Sequence, residues 1–79
     1  MKVSPDQRRA LQPLADAGLS GCTESIMLAH GFNLVMLAEL VSNGWAIAEP
    51  ERLRAGGRSI EVVSVLITEA GRRALAQRP

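Results

Sequence analysis

Trp45-Ala46-Ile47-Ala48-Glu49 and Ile60-Glu61-Val62-Val63-Ser64-Val65-Leu66-Ile67, joined through Ala55-Gly56-Gly57, break the helical spacing of the residues on either side. The second segment is rich in β-branched residues, whose side chains pack well on a pleated surface, and the glycine pair supplies a turn. Together they predict a β-hairpin. A four-residue loop over Ala55 to Arg58 opposes Arg52 to Glu61, Leu53 to Ile60 and Arg54 to Ser59, whereas a three-residue loop sets Glu51 against Glu61. Opposite charges across the ladder favour the four-residue register. Pro50 has no N–H to donate, so a bulge or an edge position is expected there.

Downstream of the hairpin, Thr68 offers an N-cap for a helix from Glu69 to about Gln77. That helix carries Ala70, Ala74 and Leu75 inward and Arg72, Arg73 and Arg78 outward, the cations near its end being favoured by the dipole alone. Upstream, Gly44 ends a helix that runs from about Phe32 or Asn33 to Asn43, with Leu34, Leu37, Leu40 and Val41 spaced to line one face. A shorter helix, Glu24 to Ala29, precedes it behind a Thr23 cap, and His30-Gly31 makes the turn between them. Two short helices joined by a tight glycine-containing turn match a helix-turn-helix in outline. The first helix begins at Ser4-Pro5-Asp6-Gln7, where a capping Ser, a Pro at the first helical position and a Gln three residues after the cap coincide. It reaches about Ala17, with Leu11 and Leu14 inside and Gly18 as its stop, and Pro13 is expected to kink or break it near Arg9 to Gln12. Leu19 to Cys22 is read as a connection.

The 79 residues form one domain, 1–79, of class α+β: three helices, a two-stranded hairpin and a C-terminal helix. With 47% hydrophobic and 22% charged residues the chain is a compact globule. A core this small leaves little stability to spare, which makes oligomerisation a natural expectation. Nine Lys plus Arg against eight Asp plus Glu leave a net charge of +1, so no global excess announces or repels nucleic acid. The N-terminal Met1-Lys2-Val3-Ser4-Pro5 has no apolar run behind its positive charges and does not read as a signal peptide. No uncharged stretch is long enough to span a bilayer. A single cysteine forms no internal disulfide, and a reducing cytoplasm is the expected setting.

Leu40-Val41-Ser42-Asn43-Gly44-Trp45 resembles the end of a recognition helix running into the first strand of a wing. Leu66-Ile67-Thr68-Glu69-Ala70-Gly71-Arg72-Arg73-Ala74-Leu75 is similar to the strand-to-helix junction of winged-helix regulators of the multiple-antibiotic-resistance (MarR) type, where a leucine-threonine-x-x-glycine-arginine pattern follows the second wing strand. The resemblance covers about Pro5 to Ala76. It implies a winged helix-turn-helix whose third helix enters the DNA major groove while the wing tip touches phosphates. Carried over, Asn33, Val35, Met36 and Glu39 would face the groove, and Arg52, Arg54 and Arg58 would lie on the wing.

The charge pattern departs from that of a DNA reader. No Lys or Arg occurs from Ala10 to Pro50, while Asp16, Glu24, Glu39 and Glu49 do. Affinity for DNA rests on cations at phosphates, and base reading leans on Arg, Lys, Asn and Gln. The third helix offers Asn33 as its lone base reader; its outward Val35 and Met36 suit a protein partner instead. The leading expectation is therefore a non-catalytic winged-helix module acting through protein contacts or as a homodimer, with Val35 and Met36 at the interface. The alternative is a DNA-binding transcriptional regulator that uses Asn33 and the basic wing, with Arg8 and Arg9 assisting on phosphates. A remnant that keeps the fold without a binding role is a third reading.

No enzyme reading emerges. Cys22 and His30 do not make a zinc-ligand set, and His30 lacks a nucleophile or carboxylate at a recognisable spacing. Cys22 has no basic neighbour to favour a thiolate and reads as a buried or tolerated thiol. Ala55-Gly56-Gly57-Arg58-Ser59 is a turn, because no helix N-terminus follows it and the Gly-Lys-Ser/Thr ending of a phosphate loop is missing. No cofactor or metal is expected. Trp45 is expected to pack the hairpin onto the third helix, with Met27 and Met36 as filler of a core or an interface.

Overall fold

A computed structural model describes residues 3–77 of the chain. Helix α1 (Pro5–Ala17) leads through a short 3-10 turn (Gly18–Ser20) into strand β1 (Cys22–Thr23), followed by α2 (Glu24–Ala29), α3 (Leu34–Ser42), β2 (Ala46–Ala55), β3 (Arg58–Ile67) and α4 (Glu69–Ala76). The class is α+β, with four helices and one antiparallel sheet in the order β1-β3-β2.

Each helix starts where a capping side chain accepts an otherwise orphaned backbone N–H. Ser4 and Gln7 cap one another reciprocally at α1. Thr23 accepts from the Ile26 N–H at α2, Asn33 from that of Met36 at α3, and Thr68 from that of Gly71 at α4. Helix α1 runs unbroken through Pro13, so the expected early break does not occur.

The hairpin has the register that the charges predict, with Arg52 opposite Glu61, Leu53 opposite Ile60 and Arg54 opposite Ser59. Its turn is tighter than the four-residue loop, because Ala55 and Arg58 also pair and only Gly56 and Gly57 remain between the strands. Both glycines have positive φ, 58° and 78°, the sign a two-residue turn needs to follow the strand twist. Pro50 lies on β2, an edge strand, in continuous register. The sheet has a third strand that the expected two-stranded hairpin lacks: Cys22 and Thr23, read as part of a connection, pair with Val65 and Ser64. Gly21 lets this strand approach, since a Cβ there would stand 2.5 Å from the Val65 carbonyl oxygen.

The core collects Ala10, Leu11 and Leu14 of α1, Met27 of α2, Leu37 and Leu40 of α3, Trp45, Ala46, Val65 and Ala74. Trp45 joins hairpin to helix as expected, its N–H donating to the Leu40 carbonyl at 3.0 Å. Two expectations of facing are corrected. Ala70 is exposed, and the buried residue on that side of α4 is Gly71, whose lack of a side chain lets the helix backbone approach. Leu34 and Val41 do not join Leu37 and Leu40 in the core, because α3 is apolar around more of its circumference than one packed face requires.

The base of the hairpin is closed by α4. The Thr68 N–H donates to the Trp45 carbonyl at 3.0 Å, and the Thr68 hydroxyl donates to the Gly44 carbonyl at 2.6 Å. Gly71 then rests on the same peptide, where a Cβ would lie 2.1 Å from the Trp45 oxygen. The far end of α4 is tied to α1 by the Arg8 guanidinium, which donates to the carbonyls of Leu75 at 2.6 Å and Gln77 at 2.5 Å. Arg78, expected on the outward side of α4, lies outside the described residues.

Gly71→Ala tests this seat. It gains helix propensity but drives a methyl into a backbone oxygen, so the protein should lose about 2 kcal/mol or more, read as a lower urea midpoint. An unchanged midpoint would show that α4 does not need the close approach.

Candidate functional site

Helix α3 has three faces. Leu37 and Leu40 point into the core, with Met36 half-buried beside them. Val35 and Glu39, four residues apart, form an exposed outer ridge on which Val35 is 69% exposed. Leu34, Ala38 and Val41, at positions i, i+4 and i+7, form the third face, with Leu34 55% and Val41 40% exposed. That third face is one wall of an open groove of about 330 Å³. The sheet supplies the opposite wall through Ala48, Val63 and Val65, residues that register places on one side of the ladder. Among the described residues, Glu24 is the one charged side chain lining it.

The hairpin projects beyond this groove. Ten-residue strands are about 30 Å long, and only the 47 Å axis of the molecule, against 22 and 20 Å for the others, accommodates them. Every residue from Ile47 to Glu61 is exposed. Alternation divides the arm into two faces. One carries Arg52 with Glu61 and Arg54 with Ser59; the other carries Leu53 with Ile60 and, next toward the tip, Ala55 with Arg58.

The sequence candidates are thereby distributed. Arg52, Arg54 and Arg58 share the distal arm but do not converge, since Arg58 lies on the opposite face from the other two. Arg52 is 3.9 Å from Glu61, an exposed pair that contributes little. Asn33 sits at the start of α3, where its side-chain oxygen is engaged in capping. It borders a second recess of about 310 Å³ lined by Asp6, Arg9, His30, Phe32 and Met36, in which Arg9 is already paired with Asp6. Arg8, a candidate phosphate ligand, is instead committed to the end of α4. Val35 is as exposed as expected, but Met36 is turned partly into the core and offers less to a partner than its spacing implied.

Sequence reasoning missed the groove itself. The signal was the apolar residue at nearly every position of Leu34-Val35-Met36-Leu37-Ala38, more than one buried face can absorb. Cys22 is half-buried, with its thiol 3.6 Å from the Pro13 carbonyl. Among the described residues no group of three or more His, Cys, Asp or Glu is placed to hold a metal ion. No described helix is long and apolar enough to cross a membrane.

Comparison with protein-family models, with curated proteins and with solved structures finds no match.

Leu34→Ser and Val41→Ser should each lower the unfolding free energy by only about 1 kcal/mol, because these side chains are 55% and 40% exposed and leave no enclosed cavity. Leu40→Ala, fully buried on another face of the same helix, should cost about 2–5 kcal/mol. Urea titrations of the three variants check the division of α3 into a core face and a groove face. A loss at Leu34 comparable to that at Leu40 would refute it.

Proposed function

We propose that this chain is a non-catalytic winged-helix interaction module that works through protein contacts, self-association included. The observation that carries the reading is the second apolar face of α3, continued by Val35 on its outer ridge and by Ala48 and Val63 on the sheet. Exposed apolar residues that form a continuous surface beside a groove are suited to a partner in a way that scattered ones are not. The winged-helix assignment is supported by the order of elements, a helix-turn-helix pair followed by a long hairpin and a closing helix. The MarR-type likeness rests on the junction residues Thr68 and Gly71, which have a physical task at the base of the hairpin. The position of α3 in that order is the one a recognition helix would hold. With no Lys or Arg between Ala10 and Pro50, α3 itself brings no cation to a phosphate, and Arg9 in the recess beside its start is paired with Asp6.

Val35→Ser tests the module reading. The substitution removes apolar surface without touching the core, so it should reduce association in sedimentation velocity or raise the solubility limit several-fold. A strictly monomeric protein whose solubility is indifferent to Val35→Ser would end this reading.

One observation favours a second reading, a DNA-binding regulator: Arg54 and Arg58 project on the arm with no ion-pair partner among the described residues. Such a regulator would act as a dimer, because one arm offers too few phosphate contacts for tight binding. On this reading, anisotropy titrations of a labelled duplex should show binding that falls steeply with salt. Arg52→Ala, Arg54→Ala and Arg58→Ala combined should flatten the slope of log K against log salt by about two to three. No binding at low salt, or an unchanged slope, removes the wing from consideration.

A further inference from the structure

We infer that the open edge of β3 pairs with the same edge of a second copy of this chain, antiparallel, about a two-fold axis at Ile60. The inference goes beyond the module reading above, because it concerns the free edge of the sheet and not α3.

The topology leaves this edge open. In the order β1-β3-β2, strand β1 contributes only Cys22 and Thr23, which pair with Val65 and Ser64. From Arg58 to Val62 no described strand lies on that side of β3. A two-residue turn is flanked by a pair that exchanges both backbone hydrogen bonds, here Ala55 and Arg58. Alternation then turns the N–H and C=O of Ile60 and Val62 to β2, and those of Ser59 and Glu61 to the open edge. The Val65 carbonyl obeys the same alternation: it is turned to the β1 side, where a Cβ on Gly21 would meet it at 2.5 Å.

The two edges of the ribbon are protected unequally. Pro50 and the charges of Glu49, Glu51, Arg52 and Arg54 interrupt the edge of β2. Ser59-Ile60-Glu61-Val62 has no Pro, Lys or Arg, and it is β-branched at Ile60 and Val62. An edge of that composition is a template for another strand.

The strand that fits is its own copy. A two-fold axis normal to the sheet keeps every residue on its own face, so each candidate register centres on one residue of the edge. Centred on Glu61, it sets two carboxylates directly against each other. Centred on Ser59, it carries Gly57 of the turn against the partner's Glu61; centred on Val62, it runs into β1 at Ser64. Centred on Ile60, it sets Ser59 against the partner's Glu61, with both backbone hydrogen bonds exchanged, and the same pairing recurs by symmetry.

The side chains agree with this register. Ile60 meets the partner's Ile60 in a non-hydrogen-bonded pair, the type in which side chains approach most closely. Since Leu53 lies opposite Ile60 in each copy, two aliphatic pairs that are 47% and 46% exposed become one continuous apolar row across the axis. On the other face the row runs Arg54, Ser59, the partner's Glu61 and the partner's Arg52. Arg54 has no ion-pair partner among the described residues, and the small Ser59 leaves it room to reach the partner's Glu61. Each Glu61 then lies between cations of both copies. The ladder is about 17 Å long, short beside a stable interface of roughly 800 Å² on each partner, so the dimer is weak and reversible.

Sedimentation equilibrium of the full chain, carried to about 1 mM, tests the pairing. The wild type should dimerise. Ile60→Lys and Ile60→Glu each put like charges on the axis at an exposed position, and each should raise the dissociation constant at least tenfold. Because residue 60 faces itself, an equimolar mixture of the two variants should form a heterodimer tighter than either homodimer. Ser59→Pro removes an outward N–H that β2 does not use, so circular dichroism should show the fold intact while the dimer is lost; this variant decides the matter if a charge at position 60 unfolds the chain. A wild type that stays monomeric, or a mixture no tighter than its components, overturns the edge pairing. Association that resists Ile60→Lys and Ser59→Pro yet falls on Val35→Ser overturns it too and leaves the module reading standing. Association lost on Ile60→Lys and indifferent to Val35→Ser upholds the edge pairing and removes self-association from α3.

Discussion

The Trp45 carbonyl is the point on which the tertiary structure turns. It lies at the junction of α3 and β2, accepts the Thr68 N–H, and forms the surface on which Gly71 rests. Through these contacts the end of the hairpin's second strand is fastened to the start of its first, and α4 is delivered onto α1. The Thr68 hydroxyl has two tasks at once, donating to the Gly44 carbonyl and accepting the Gly71 N–H. A side chain at position 71 would force these backbones apart, and the loss would reach Ala74 and, through Arg8, the opposite end of α4.

Fixing the root of the hairpin so firmly is what allows the remainder to stand free. Beyond the groove, every residue from Glu51 to Glu61 is exposed, with no layer against either face. In most small domains an unpacked ribbon with two open edges invites aggregation. Here Glu49, Pro50, Glu51, Arg52 and Arg54 interrupt the outer edge with charge and a missing donor, the devices by which edge strands are blunted. The Leu53 and Ile60 pair is the exception.

Helix α3 has too much apolar surface for the core it serves, and the excess forms the wall of a groove whose charged member is acidic. The arm carries the uncovered pair Leu53 and Ile60 and three of the chain's nine Lys and Arg, two of them on the opposite face.

Much of this was legible in the sequence. Ser4, Thr23 and Thr68 mark helix starts because capping is a local matter of one side chain and a backbone N–H within three residues; Asn33, read as a base contact, is the cap of α3. The hairpin register was equally local, fixed by a glycine pair and by Arg52 facing Glu61. The boundaries of the apolar residues on α3 were visible too, but not their division between core and groove, because periodicity reports which side chains are apolar and not which are covered. Strand β1 could not be read from Cys22-Thr23, two residues whose pairing depends on where β3 passes, nor could the exposure of Ala70 in place of Gly71, which depends on the Trp45 oxygen. The sequence by itself determined the four helices, three of their caps, the hairpin register and the absence of Lys and Arg from Ala10 to Pro50, since those depend on neighbours along the chain. Only the tertiary structure decided that Arg8 is bound to the end of α4, that the arm's cations lie on opposite faces, and that α3 keeps an uncovered apolar wall, because each depends on residues brought together from distant parts of the chain.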